Sequence, residues 1–277
     1  MIDNYTHELV KKSELLPVHF SHSTFDPITV PAHWHDYLEL LYLQSGSMTA
    51  IIQGQPYSLC PGELLAVNSL EIHMTHTTEG SHYFLLQIPS ALMQEYFPNF
   101  DQLHFQTLLQ VCHDSKSLAK ITDIFNQLFQ SYHLKEDGYQ LLFSAHLYTL
   151  LYHLYKQHTT LISPNIESPK RDFNRIAIIM GWINQHFHSP LTLTAAAHKL
   201  NISKEYLCRL FKKYMGQTFL EYLYTVRTMN VYEKLKKNDT PLTLLLEQSG
   251  ITNYKIFMRT FKQLYGDTPR NIRKQFE

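Results

Sequence analysis

Three polar residues near the start of the chain have spacing that could do chemistry. In "HWHDYLELLYLQSG", His33, His35 and Glu39 precede Gly46 by a short apolar run. Two imidazoles and a carboxylate at such spacing suit Zn, Mn or Fe. The same groups can hydrogen-bond a polar effector, with Trp34, Tyr37 or Tyr42 stacking on it, or they can satisfy one another as a structural network. A later His73, in "PGELLAVNSLEIH", is the candidate fourth member. No Gly-rich phosphate loop, nucleophile elbow or His-Glu-x-x-His motif is present, so phosphoryl transfer, Ser-dependent acyl transfer and zinc proteolysis have no sequence support.

A second chemistry lies near the other end. "LCRLFKKYMGQTF", from Leu207, returns in altered form as "FMRTFKQLYGDTP", from Phe257. On a helical wheel Leu207, Leu210, Phe211 and Tyr214 form one stripe, while Glu205, Arg209, Lys212 and Lys213 face away, with Cys208 at the edge. In the second copy Phe257, Thr260, Phe261 and Leu264 turn inward. Lys255, Arg259 and Lys262 face out, with Met258 beside them and Tyr254 before them. Each copy is preceded by a short apolar-periodic segment and a turn at Asn201 or Gly250, residues that tolerate left-handed backbone. Short helix, turn and basic helix is the plan of a helix-turn-helix, whose second helix presents Arg to guanine O6 and N7 in the major groove. Base reading is expected at Arg209 and Arg259, and phosphate contact at Lys212 and Lys262.

The elements that must position these residues fall into two halves. The chain has 277 residues and no formal net charge, yet residues 170–277 hold 18 Lys+Arg against 8 Asp+Glu, and residues 1–169 hold 6 against 16. A basic half joined to an acidic, histidine-rich one points to a polyanion partner for the basic half. "LISPNIESPK" marks the charge switch, giving domains at 1–160 and 172–277 joined by a linker at 161–171. "LELLYL", "MTAIIQ", "ELLAV" and "YFLLQI", separated by Gly-containing turns, predict the short strands of a barrel or sandwich. The pattern then becomes helical, with two amphipathic helices around Ile121–Tyr132 and Tyr139–Tyr155 joined at "KEDG"; their expected roles are packing on the barrel and dimerisation. Beyond the linker, helices are predicted over 172–187, 193–199, 203–214, 218–236, 242–248, 253–264 and 268–275. Cys60, Cys112 and Cys208 are odd in number and widely spaced, which suits a reducing compartment. The opening residues are too polar for a signal peptide, and no run is apolar enough to span a membrane, so a cytoplasmic location is expected.

The segments "NISKEYLCRLFKKYMGQTFLEYL" and "SGITNYKIFMRTFKQLYGDTPRNIRK" resemble the DNA-binding domain of the AraC/XylS family of transcription regulators. Ile251 and Leu246 depart from its usual Phe and Ala, both at core positions. The resemblance implies two helix-turn-helix units bridged by a long helix, with base-reading positions at Glu205, Cys208 and Arg209 and at Tyr254, Lys255, Met258 and Arg259. Residues 20–90 resemble a cupin barrel in the first motif and only partly in the second. The whole is expected to be a multi-domain α+β protein: a cupin-like β-barrel with two following helices, then an all-α domain. The function this implies is a non-enzymatic regulator of transcription, an activator in most of the family. Its implied partners are double-stranded DNA, RNA polymerase, a second copy of the chain and a small-molecule effector, a carbohydrate for many members. Expected effector contacts are His33, Trp34, His35, Glu39, Tyr42 and His73, with no cofactor and no metal assigned. The rival from another class is a metal-dependent cupin enzyme; a further rival is a DNA-binding protein whose barrel only dimerises.

Overall fold

The computed structural model describes residues 16–24, 29–110, 115–161, 167–236 and 240–274; Cys112 lies outside these. The first half is built on two antiparallel sheets. Strands β1 (His19–Thr24), β3 (Tyr37–Ser45), β6 (Leu64–Val67), β8 (His82–Pro89) and β10 (Leu108–Leu109) form one in the order β1-β8-β3-β6-β10. Strands β2 (Thr29–His33), β4 (Met48–Ile52), β5 (Gln55–Leu59) and β7 (His73–Thr77) form the other in the order β2-β7-β4-β5. A small ribbon pairs β9 (Leu103–Phe105) with β11 (Thr159–Leu161).

Alternation along β3 divides the core in two. Leu38, Leu40 and Tyr42 face helices α2 (Ser115–Leu134) and α3 (Tyr139–Gln157), where they meet Phe84, Ile121, Phe125, Phe143 and Leu147. Leu41 and Leu43 face the second sheet and pack with Met48, Ala50, Ile52, Leu59, Leu65 and Val67. Glu39 shares this inner face. Between β4 and β5 the turn is two residues, Gln53 and Gly54, both at positive φ (50° and 77°). That is the twist-matched turn that joins antiparallel strands most tightly.

The four apolar runs read as strands are β3, β4, β6 and β8. No comparable signal marks β2 ("TVPAH"), β5 ("QPYSL") or β7 ("HMTHT"), which are polar or carry proline. A short helix, α1 (Ser90–Tyr96), follows β8.

The second half is helical: α4 (Glu167–His186), α5 (Leu193–Lys199), α6 (Lys204–Met215), α7 (Phe219–Leu235), α8 (Leu242–Gln248), α9 (Tyr254–Tyr265) and α10 (Pro269–Lys274). The stretch expected as the linker, 161–171, is only partly described. Leu161 is still in β11 and α4 already runs from Glu167, while 162–166 lie outside the described residues. Among the described residues no helix is long and apolar enough to cross a membrane.

Candidate functional site

The two basic helices have the same local construction. The Ser203 side chain accepts the Tyr206 amide at 3.1 Å, and the Asn253 side chain accepts the Ile256 amide at 3.1 Å, which caps α6 and α9. Gly216 (φ 65°) and Gly266 (φ 73°) end them in left-handed caps. The turns before them bend at Asn201 (φ 53°) and Gly250 (φ 70°). Leu207, Leu210, Phe211 and Tyr214 are buried on α6, and Phe257, Phe261 and Leu264 on α9. Glu205, Cys208, Arg209, Lys212, Lys213, Tyr254, Lys255, Arg259 and Lys262 are exposed, and Met258 is half-buried against the second unit's core. Leu246 and Ile251, the departures from the family pattern, are both buried in that core.

Some supports of this surface were not legible in sequence. Arg209 lies over the Tyr206 ring, 5.6 Å from its centroid. The Tyr206 hydroxyl donates to Asp172 on α4 at 2.7 Å, and Arg175 donates to the same carboxylate at 3.2 Å. Helix α7 begins with a capping box in which Thr218 and Glu221 satisfy each other's backbone amides. Its buried Arg227 donates to Phe187 O (2.7 Å) and Ser189 O (2.8 Å), tying the bridge to the end of α4. No sequence period distinguishes these residues from ordinary surface positions.

The histidine cluster forms where β2, β7 and the start of β3 meet. His33 pairs with His73 across β2 and β7, with ring centroids 4.1 Å apart. His35 Nε2 donates to Glu39 Oε2 at 3.0 Å, and His73 Nε2 lies 3.6 Å from Glu39 Oε1. Gln87, opposite Glu39 on β8, donates to Glu39 Oε2 at 2.8 Å. One donor atom from each of His33, His35, Glu39 and His73 lies within 4.8 Å of all the others. All four residues are buried, so the site is enclosed rather than at an open mouth.

Burial alone would raise the Glu39 carboxyl, but the His35 hydrogen bond and the neighbouring His73, His35 and His33 outweigh it and hold it well below the usual carboxylate range. Burial pushes His73 down to about 4, against the pull of Glu39. An ionised carboxylate and a deprotonated imidazole are the forms in which these groups bind divalent metals.

Two expected members are not brought to this cluster. Tyr42 points into the helix-facing core, where it donates to Thr122 Oγ1 at 2.9 Å and stacks on Phe125. It stands three residues from Glu39, and strand alternation puts that position on the opposite face. Trp34 packs edge-on to Phe173 of α4, with centroids 5.3 Å apart, and so faces the helical half.

The two halves are in contact. Ala32, Trp34, Ile72 and Met74 pack with Ile176, Ile179, Leu207 and Leu210 in one apolar cluster. The Gln53–Gly54 turn sits on the last turn of α6: a Cβ at Gly54 would overlap Lys213 O and come 2.9 Å from Lys212 O. At the end of α9 the Thr29 hydroxyl donates to Leu264 O at 3.0 Å, and it pairs with His76 Nδ1 at 2.8 Å. The second sheet therefore touches the C-terminal ends of both basic helices and leaves their first turns exposed.

Fold and site define a two-domain DNA-binding regulator with an enclosed polar centre in its β-domain. An AraC-like ligand-binding domain matches residues 21–151, and a helix-turn-helix domain matches residues 196–275. The chain belongs to the AraC family of transcription regulators. Curated relatives include the uncharacterized HTH-type transcriptional regulator YdeC of Bacillus subtilis, 24% identical over 88% of this chain and 86% of its own. The HTH-type transcriptional activator RhaS of Pectobacterium carotovorum is 20% identical over 88% of each chain. Among solved structures, ToxT from Vibrio cholerae O395 has a TM-score of 0.46 at 12% identity, covering 94% of this chain and 98% of that one.

Proposed function

We propose that this regulator activates transcription in response to a small ligand held at His33, His35, Glu39 and His73. The observation that carries this reading is the shared sheet. Strands β2 and β7 contribute His33 and His73 on one face and rest against the DNA-reading half with the other. A ligand that shifts those strands shifts the readers. Activation is the direction named for the RhaS relatives, and it implies RNA polymerase as a partner and the cytoplasm as the place of action. A carbohydrate effector draws no support from Trp34 or Tyr42, whose rings lie away from the cluster.

The proposed dimer contact is α3. Leu141, Ala145, Tyr148, Tyr152 and Tyr155 recur at alternating spacings of four and three and are exposed, while Phe143, Leu147, Leu150 and Leu154 are buried beneath. That is the seam of a coiled coil.

The test of the DNA-binding core of this reading is titration of the full chain on promoter fragments at increasing salt. Binding should fall steeply through counterion release and should fail in the double variant Arg209→Ala, Arg259→Ala. Equal binding by that variant would contradict the assignment of α6 and α9 as readers.

A further inference from the structure

We propose that the effector is a divalent transition metal ion of the zinc or iron(II) kind, bound by His33, His35, Glu39 and His73, and that β2 and β7 pass its occupancy to the first DNA-reading unit. The proposal rests on the reading of the chain as a ligand-controlled regulator and names the ligand's class.

Four observations carry it. First, the donor atoms lie within 4.8 Å of one another, the span of an ion's coordination shell rather than of a sugar ring. Second, two rings are aimed. His33 Nδ1 donates to Pro31 O at 2.8 Å and His73 Nδ1 to Glu71 O at 2.9 Å, so Nε2 is the nitrogen each can offer an ion. A backbone carbonyl on the far nitrogen is how proteins orient metal-binding histidines. Third, three imidazoles and one carboxylate suit zinc or iron(II) and not calcium or magnesium, which take oxygen donors. Fourth, with zinc bound, four protein ligands complete a tetrahedral shell and leave no position for substrate, as in zinc sites that serve structure rather than catalysis.

Coupling follows from strand geometry. Metal–ligand bonds of about 2.0–2.2 Å put the donors of a tetrahedral site roughly 3.3–3.6 Å apart, so donors spread over as much as 4.8 Å draw together on binding. A metal held by His35 Nε2 and Glu39 also takes the place of the hydrogen bond between them. The movement falls on strands whose neighbouring side chains, Ala32, Trp34, Ile72 and Met74, are packed against α4 and α6. Close-packed surfaces transmit such shifts rather than absorb them. From β7 the path continues into β4, since His73 pairs with Ile52 and the amide of Gln53 donates to Ile72 O at 2.9 Å. The next residue, Gly54, is the one seated on Lys213.

The experiment uses the full chain, stripped of metal by chelator and dialysis. It is titrated with zinc, iron(II) under anaerobic conditions, and cobalt(II) as a coloured substitute. Affinity is read on a duplex selected by the same protein from random DNA. We expect one equivalent per chain, cobalt absorption bands in the visible, and a change of about fivefold or more in DNA affinity on loading, the usual size of such coupling. Glu39→Gln and His35→Asn should each lose the metal, and two such variants guard against one failing to fold. Met74→Ala, outside the ligand set, should keep the metal and weaken its effect on DNA. Wild-type protein that is folded and takes up no stoichiometric metal overturns the site. Metal bound at full stoichiometry without a change in DNA affinity overturns the coupling. Failure to bind any duplex, with or without metal, instead sinks the regulator reading, and the stoichiometry still judges the site.

Discussion

Replacing Gly54 by alanine tests whether the β-domain is seated on the first reading helix. Gly54 lies at φ +77°, so a side chain there is strained whatever surrounds it; left-handed backbone costs an L-residue about 1–2 kcal/mol. Gly80 provides the control. It has φ +74° and nothing within 4 Å of its would-be Cβ, so Gly80→Ala reports the backbone cost alone. At Gly54 the new methyl would meet the carbonyls of Lys213 and Lys212, which are backbone atoms with no rotamer to swing away. The turn must lift off α6, losing the close contact of Ile51 with Gly216. Overpacking of this kind costs roughly 1–3 kcal/mol. Gly54→Ala should therefore be destabilised by about 2–5 kcal/mol, and Gly80→Ala by only the first part. Hydrogen exchange localises the difference. Amides of residues 212–216 should lose protection in Gly54→Ala and keep it in Gly80→Ala. Equal protection and equal stability in the two variants would refute the docking.

Other outcomes are expected of single positions. Arg209→Ala should relax preference at one or two base pairs by about 1–3 kcal/mol each, whereas Lys262→Ala should weaken all sequences alike and lower the salt slope by about one; competition binding on variant duplexes separates them. Tyr42→Phe removes the bond to Thr122 and should cost about 1 kcal/mol in urea unfolding. It should not change the response to effector, because the ring faces α2 rather than the cluster; a lost response would return Tyr42 to the site. Tyr152→Glu places a charge in the exposed α3 seam and should shift sedimentation toward monomer, while an unchanged dimer would move the interface elsewhere.

The helices of the second half, apart from the start of α4, were legible to within a residue or two because their signals are local. Helical period, N-cap residues at Ser203 and Asn253, and glycine caps all act within a turn or two. Ser203, Thr218 and Asn253 each cap the helix expected after them. The β-half was legible only where strands are apolar. Strands β2, β5 and β7 owe their existence to partners far along the chain, and their sequences are too polar to announce them. For the same reason His73 could be named but not placed beside His33, and Gln87 was missed. Tyr42 lies away from the cluster although it is near Glu39 in sequence; at three residues along a strand, alternation reverses the face. Contacts between the halves, such as Gly54 on Lys213 and Thr29 on Leu264, join residues more than 150 positions apart and leave no mark in either segment.

We infer that one chain reads DNA with two helices, α6 and α9, bridged by α7. Selection from a random pool of double-stranded DNA by the full chain tests it most directly. Enriched sequences should contain two short conserved blocks about one helical turn, roughly 10 base pairs, apart. Arg209→Ala should blur one block and Arg259→Ala the other. A single undivided block, or one that both substitutions blur equally, would contradict it.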